Sequence, residues 1–335
     1  MTVFIRAAVE HERAEALVSA ASGVYGQRVA VSIEEFRWVS GSPFAYWVSS
    51  DVRSLFRDLK PFAREGNAVK QGVTTTDDFR FLRASWEIRP SDVIDWPPFA
   101  KGGGYSLFYA DLDLVVQWHE GGAEMYAFTG VSRHAAGAPM RNPSFYFRPG
   151  LTWPLRSRKF CPQVLPGGVI TSTRGSGIFG PAVGAFAALG ASSIADHLLK
   201  LLSGRLGYPQ FDMGDVALLP FPTLAPMHEE RLTALGHTGW SHKRSLDTIS
   251  EVSHAFVVPA VLQVSGGWFA DRVSAWSSRV ASVEAELERV QSEIDELCFE
   301  LYGISEEDRQ AIIEGFSVSD ESEDGSEGED STEED

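Results

Sequence analysis

The sequence predicts an α+β fold: a mixed, loop-rich β-sheet domain, then a helical region with a coiled-coil-like arm and a disordered acidic tail. Three observations carry this reading. From about residue 62, short apolar-aromatic runs alternate with Gly and Pro turns, the texture of a heavily looped sheet. Val273, Trp276, Val280, Val283, Leu287, Val290, Ile294, Leu297 and Leu301 recur at alternating spacings of three and four, a heptad seam. Residues 317–335 hold ten acids, no Lys or Arg and almost no apolar side chain, so they cannot bury a core.

Taken in order, residues 4–21 predict a helix, with Val9, Ala16, Leu17 and Ala20 on one face and Gly23 and Gly26 ending it. Residues 28–39 alternate and are rich in β-branched and aromatic types, which predicts a strand with a break near Glu34. Residues 45–59 predict a helix closed by Pro61. Strands are expected at 79–88, 112–118, 125–128, 145–147, 164–165 and 169–173. Residues 181–203 read as one apolar helix, and 227–263 as two helices with a junction near Gly236 to Gly239. The seam at 273–301 needs a partner helix, either residues 240–262 or a second protein. Ser305 and Asp308 form a capping box that opens a last helix over 306–315. The expected divisions are a linker segment 1–61, a sheet domain 62–225, a helical region 226–316 and the tail 317–335.

Length and composition exclude several classes. With 335 residues, 44% of them apolar or aromatic, a sizeable core can be buried. Two cysteines, Cys161 and Cys298, exclude a disulfide scaffold and a cysteine-based zinc site, and fit a reducing, cytoplasmic setting. The N-terminus lacks a basic region followed by an apolar one, and no 18-residue apolar run occurs, so neither secretion nor a membrane partner is expected. The net charge of −17 conceals an asymmetry: residues 130–210 hold nine bases and one acid, Asp196. A basic middle in an acidic chain points to a polyanion; the plainer reading is a set of solvated arginines.

The motifs are each weaker than they look. Gly175-Ser176-Gly177-Ile178-Phe179-Gly180 spells a dinucleotide loop, but no acid follows about 20 residues on at a strand end. The favoured reading is a Gly-rich turn whose backbone amides approach a phosphate beside Arg174, or simply a tight turn. Trp96-Pro97-Pro98-Phe99 and Asn142-Pro143-Ser144-Phe145 imitate the Asn-Pro-Pro-Tyr loop that holds a target amine; the first lacks an acceptor and the second lacks a proline. Asp111 and Asp113 read as a solvated strand face before a metal pair. The eight histidines show no ligand spacing, and no nucleophile, zinc or Walker signature exists, so no catalytic, cofactor-binding or metal-binding residue is assigned.

Several longer strings occur in a meaningful order: those at 43–48, 71–81, 96–103, 109–116, 142–154, 243–248, 253–256 and 301–304. Together they resemble the C-terminal half of the BREX phage-defence adenine-specific DNA methyltransferases (PglX), relatives of fused restriction-modification enzymes. The resemblance implies a DNA target-recognition domain over 62–225 and a helical spacer over 226–316. It implies recognition of double-stranded DNA for adenine N6 methylation, with a separate methyltransferase polypeptide supplying the S-adenosylmethionine site and other defence-system proteins as partners. Lys101, Arg148, Arg156, Arg158, Lys159 and Arg174 are the expected DNA contacts, since such a domain needs cations for phosphates and base edges. Three other readings stay open: a protein-interaction module without DNA binding, a truncated non-functional fragment, and a methyltransferase with a degenerate motif.

The tail offers a first test. If its ten acids compete with DNA for the basic surface, deleting 317–335 tightens duplex binding at low salt and matters less at high salt, as titrations at two salt concentrations would show. Equal affinity of both forms at low salt leaves a solubilising tail.

Overall fold

The computed structural model describes residues 2–6, 27–43, 45–133, 135, 137–204 and 209–320. Strands β1 (Thr2–Arg6) and β2 (Gln27–Val31) pair antiparallel, Thr2 opposite Val31. The helix expected from residue 4 therefore fails at 4–6, where a Val-Phe-Ile run favours pairing; its remainder lies outside the described residues. Beyond β2 the expected strand gives way to a single turn, α1 (Ile33–Phe36), with Glu34 and Glu35 at the helix start. Helix α2 (Ser50–Asp58) begins later than expected because Ser49 caps it, its hydroxyl accepting from the Val52 amide at 3.1 Å.

The next stretch carries the short elements β3 (Lys60–Pro61), β4 (Ala68–Lys70), α3 (Asp78–Phe81), β5 (Leu82–Ala84), β6 (Phe99–Ala100), β7 (Leu114–Val116), α4 (Ala123–Thr129), β8 (Gly150–Thr152), β9 (Gln163–Leu165), β10 (Ile170–Thr171) and β11 (Gly177–Phe179). A four-stranded antiparallel sheet runs β4-β11-β8-β9. Around it lie the pairs β5–β7, antiparallel, and β6–β10, parallel. Three expected strands are corrected. The 79–88 run divides, because Asp77 caps α3 before β5 begins. The 125–128 run is α4, bracketed by the left-handed glycines Gly122 and Gly130. The 145–147 run begins in a 3-10 turn, Pro143–Phe145, opened by Asn142 at φ +53°.

The remaining elements are α5 (Val183–Leu189), α6 (Ser193–Ser203), α7 (Met213–Leu218), β12 (Pro220–Phe221), α8 (Pro226–Asp247), α9 (Phe269–Tyr302) and α10 (Glu306–Asp320). Strand β12 pairs with β3, so residues near 60 and 220 meet. The apolar helix expected over 181–203 is two helices crossing at 88°, since Ser192 caps α6 from within the run. Both are core helices, and among the described residues no single helix is long and apolar enough to cross a membrane. The junction expected at Gly236 to Gly239 does not exist; α8 runs through both. A Cβ on Gly236 would lie 3.1 Å from that of Ala187, and one on Gly239 would lie 2.7 Å from the Phe108 ring. These glycines let α5 and a loop approach the helix, rather than ending it. The seam on α9 packs only in its second half: Val290 and Ile294 are buried, whereas Val273 is 42% exposed. Helix α10 continues to Asp320, beyond the expected end, so residues 317–320 are helical; the rest of the tail lies outside the described residues.

One main core joins sheet and helices. Phe62 and Phe186 meet at 4.2 Å between ring centres, Phe160 and Phe211 at 5.3 Å, and Trp153 and Phe160 at 5.8 Å. A second core, with Phe81, Phe99, Val116, Met125 and Ile170, fills a smaller lobe drawn mostly from residues 73–146.

Two predictions follow from this packing. Gly239→Ala should destabilise by about 1–3 kcal/mol although helix propensity favours Ala. Gly214→Ala, with open space around it in α7, should stabilise by up to about 1 kcal/mol. Urea midpoints of the two variants should therefore move in opposite directions.

The second concerns His197 of α6. Burial, and then the nearby Lys200 ammonium, push its imidazole down to about 4. The unfolded chain takes up a proton near 6.5 and the folded one only near 4, so this contribution to stability is intact above 6.5 and lost as pH falls through that window. Up to about 3 kcal/mol is at stake. The buried Asp196 and the half-buried Asp295, whose carboxyls desolvation raises, act with the opposite sign. The difference in unfolding free energy between wild type and His197→Gln, measured at pH 7.5 and 4.5, isolates the histidine; it should shift in favour of the variant at the lower pH.

Candidate nucleic-acid interface

The site is organised by Trp153, fully buried beside the sheet, whose indole NH donates to the Phe211 carbonyl at 2.8 Å. The chain leaves the core there as Pro154-Leu155-Arg156. The Leu155 amide donates to the Arg174 carbonyl at 3.1 Å, and the Phe211 amide donates to the Leu155 carbonyl at 2.8 Å. Residues near 155, 174 and 210 are thus locked together although far apart in sequence. Arg156 and Gln210 form a one-residue antiparallel bridge, and the Arg156 Nε donates to the Gln210 side-chain carbonyl at 3.2 Å. The Gln210 amide in turn donates to Asp212 at 3.1 Å, which fixes which end faces the arginine.

The fourth segment is the glycine loop after β6. Gly102, at φ +105°, passes so close that a Cβ would lie 3.0 Å from the Arg174 carbonyl and 3.4 Å from the Pro154 Cα. Only glycine fits, and this brings Lys101 alongside Arg174. The result is a cleft of about 310 Å³ lined by Lys101, Gly102, Gly103, Arg156, Arg174 and Gln210, with no carboxylate in its walls. Burial, then the Arg174 charge, pull the Lys101 ammonium below its ordinary value. Lys101 is nevertheless held by an ion pair with Asp78, whose carboxylate also accepts from Thr75. An anion bound in the cleft would offset the Lys101–Arg174 repulsion.

Three of the six expected contacts therefore share one cleft, and three do not. Arg158 stacks on Tyr105, its guanidinium carbon 4.4 Å from the ring centre. Arg148 stacks on Phe145 at 5.2 Å, with the Lys70 ammonium 5.8 Å from the same ring. Lys159 is half-buried, and its charge acts on the carboxyls of Asp196 and Asp295 on the helical side. Gln210 had no signal in the sequence, because its role comes from pairing with Arg156.

The weaker motifs also resolve. The 175–180 glycine run holds strand β11 in an antiparallel sheet, not a turn between a parallel strand and a helix. The amides of Arg174 and Gly175 donate to the Ser172 hydroxyl at 3.2 and 2.8 Å, so they do not cradle a phosphate. A Cβ on Gly175 would lie 2.5 Å from the Ala100 carbonyl, which accounts for the glycine. The run does not fit a cofactor. Phe99 is buried, and the carbonyls of Pro97 and Pro98 accept from Val116 and Ile170 at 3.0 Å, so Trp96-Pro97-Pro98-Phe99 is a half-buried segment pinned between strands. The Asn142 amide donates to the Gln71 carbonyl at 2.9 Å. Asp111 is not a solvated strand face: it accepts from the His254 amide at 3.0 Å and meets the His254 Nδ1 at 3.1 Å. With the Tyr109 hydroxyl donating to Asp247 at 3.1 Å, it clamps the second lobe to the α8–α9 connection. Burial, then Asp111 and Asp247, raise the nearby Asp113. Among the described residues no group of His, Cys, Asp and Glu could hold a metal.

Comparison with known proteins gives the relation. The chain is 24% identical over 303 residues to the adenine-specific methyltransferase PglX of Lacticaseibacillus casei (strain Zhang), covering 85% of this chain and 24% of that protein. It is related to the PglX/BrxX adenine-specific methyltransferases. The BrxX protein of Escherichia coli O9:H4 (strain HS) is 25% identical over 154 residues, 43% of this chain and 12% of that one. The chain thus spans about a quarter of the length of the first of these relatives. A solved structure of the type IIL restriction-modification enzyme MmeI in complex with DNA aligns over 78% of this chain and 36% of that one, with 16% identity and a TM-score of 0.46. No family model matches.

Proposed function

We propose that this chain recognises double-stranded DNA for a site-specific adenine N6 methyltransferase of a phage-defence system. The observation that carries the reading is the cleft in which Lys101, Arg156 and Arg174 converge with no carboxylate among its lining residues, Asp78 reaching Lys101 from outside it. Three cations at the end of a rigid sheet suit a phosphodiester backbone, and phosphate contacts set the register from which base edges are read. The relation to adenine-specific methyltransferases supports DNA as the polyanion. S-adenosylmethionine binding and methyl transfer then belong to a catalytic part outside these 335 residues, a separate methyltransferase polypeptide being the partner expected, with other defence proteins around it. Arg148 and Arg158, each stacked on an aromatic ring, are secondary contacts in this reading.

A second reading, a protein-docking module, draws on the start of α9 and the segment before it. Trp268 is 80% exposed and Phe269 71% exposed, close in sequence to exposed Val257 and Leu262.

Duplex titration at several salt concentrations separates the two. Single alanine variants of Lys101, Arg156 and Arg174 should each flatten the log–log salt dependence by about 0.9. Lys159→Ala should leave that slope nearly unchanged. Binding of all three cleft variants like wild type at every salt concentration would reject the cleft as a DNA surface.

A further inference from the structure

The second lobe presents one large apolar side chain almost wholly to solvent. Phe79, in α3, is 97% exposed. A single exposed phenylalanine is ordinarily unremarkable, but three features set this one apart. Its backbone is rigidly held. Asp77 accepts from the Arg80 amide at 3.0 Å, the Thr75 hydroxyl and Lys101 both meet Asp78, and Arg83 donates to the Phe79 carbonyl at 2.7 Å. Thr76, three residues earlier, lies at φ +60°, a conformation that a β-branched residue adopts only under constraint. The ring is therefore displayed by a strained, pinned turn rather than by a loose loop.

The third feature is position. Phe79 and Lys101 line a common open depression of about 460 Å³, and Lys101 also lines the cationic cleft with Arg156 and Arg174. An aromatic face thus stands beside a phosphate-sized cluster of positive charge, with one lysine as the shared wall. The acids of the depression are already engaged: Asp78 by Lys101 and Thr75, and Glu87 by the Ala84 amide at 2.8 Å. Such an arrangement suits a nucleotide, whose charge and π-face lie on adjoining atoms.

We propose that Phe79 is a stacking wedge: with a backbone phosphate in the Lys101–Arg156–Arg174 cleft, its ring inserts at a base step of the same duplex and packs on an unstacked base. This rests on the DNA reading above and specifies what the depression beside that cleft holds. The partial unstacking lowers the cost of extracting a neighbouring base, and apolar wedges of this kind kink duplexes elsewhere.

The test uses the full chain and a duplex carrying 2-aminopurine in a run of TpA steps, where unstacking costs least. Wild-type binding should raise the 2-aminopurine fluorescence. Phe79→Ala should abolish that rise and weaken binding by about five- to 150-fold, the range of base–aromatic stacking, with an unchanged salt slope. Phe79→Trp should retain both. Arg174→Ala should do the converse, flattening the salt slope by about 0.9 while bound complexes keep the fluorescence rise. Wild-type affinity and fluorescence in Phe79→Ala overturn the wedge and leave the DNA reading standing. The same follows if Phe79→Ala instead loses only its association with a co-expressed methyltransferase. No duplex binding by the wild type overturns both.

Discussion

A single buried tryptophan sets the geometry of the cleft. The Trp153 indole needs a partner for its NH once it is removed from water, and it takes the Phe211 carbonyl. That choice brings the residues before α7 against the end of β8, and the Leu155 backbone completes the lock toward Arg174. Arg156, Arg174 and Gln210 are thereby held around one cleft. The aromatic chain from Trp153 through Phe160 to Phe186 and Phe62 carries the same constraint into the helices. Sheet and helical region therefore share one apolar interior, and the position of the cleft is inherited from it.

Buried polar groups tie the helices to that interior at specific points. Asp196 accepts from the Phe160 amide at 2.7 Å and pairs with Lys200 at 3.1 Å, so α6 grips the loop beside Trp153. Burial pushes the Asp196 carboxyl above its ordinary value, and the Lys200 charge opposes that shift. Asp295 of α9 accepts from the Ser193 amide and hydroxyl, adding a cap to α6 from far along the chain. The Asp295 contacts fall in the second half of α9, the half whose seam is buried. The first half extends past the region where the core has anything to offer it.

Much of the fold was legible in short-range pattern. The α+β class, the strands at 114–116, 163–165 and 170–171, the end of α2 before Pro61 and the Ser305 cap of α10 all depend on propensity, alternation or capping within a few residues. The misreadings share a cause. Gly236 and Gly239 have the composition of a break, yet their missing side chains serve Ala187 and Phe108, which are distant in sequence. The 125–128 run has strand composition, but two left-handed glycines and a core waiting for Met125 make it a helix. In each case a tertiary neighbour overrode a weak local preference.

The candidate site divides in the same way. The sequence by itself determined the chemistry available: a basic middle, a glycine loop after Lys101, and arginines spaced along loop-rich segments. It could not say that Lys101, Arg156 and Arg174 line one cleft while Arg148, Arg158 and Lys159 turn to aromatic rings or buried carboxylates. Nor could it mark Gln210 or the exposure of Phe79. Whether a side chain faces a cleft depends on strand register and on which backbone groups are taken by distant partners. Those are long-range properties: the hydrogen bonds at Leu155 and Phe211 and the close pass of Gly102 exist only once the core has closed around Trp153.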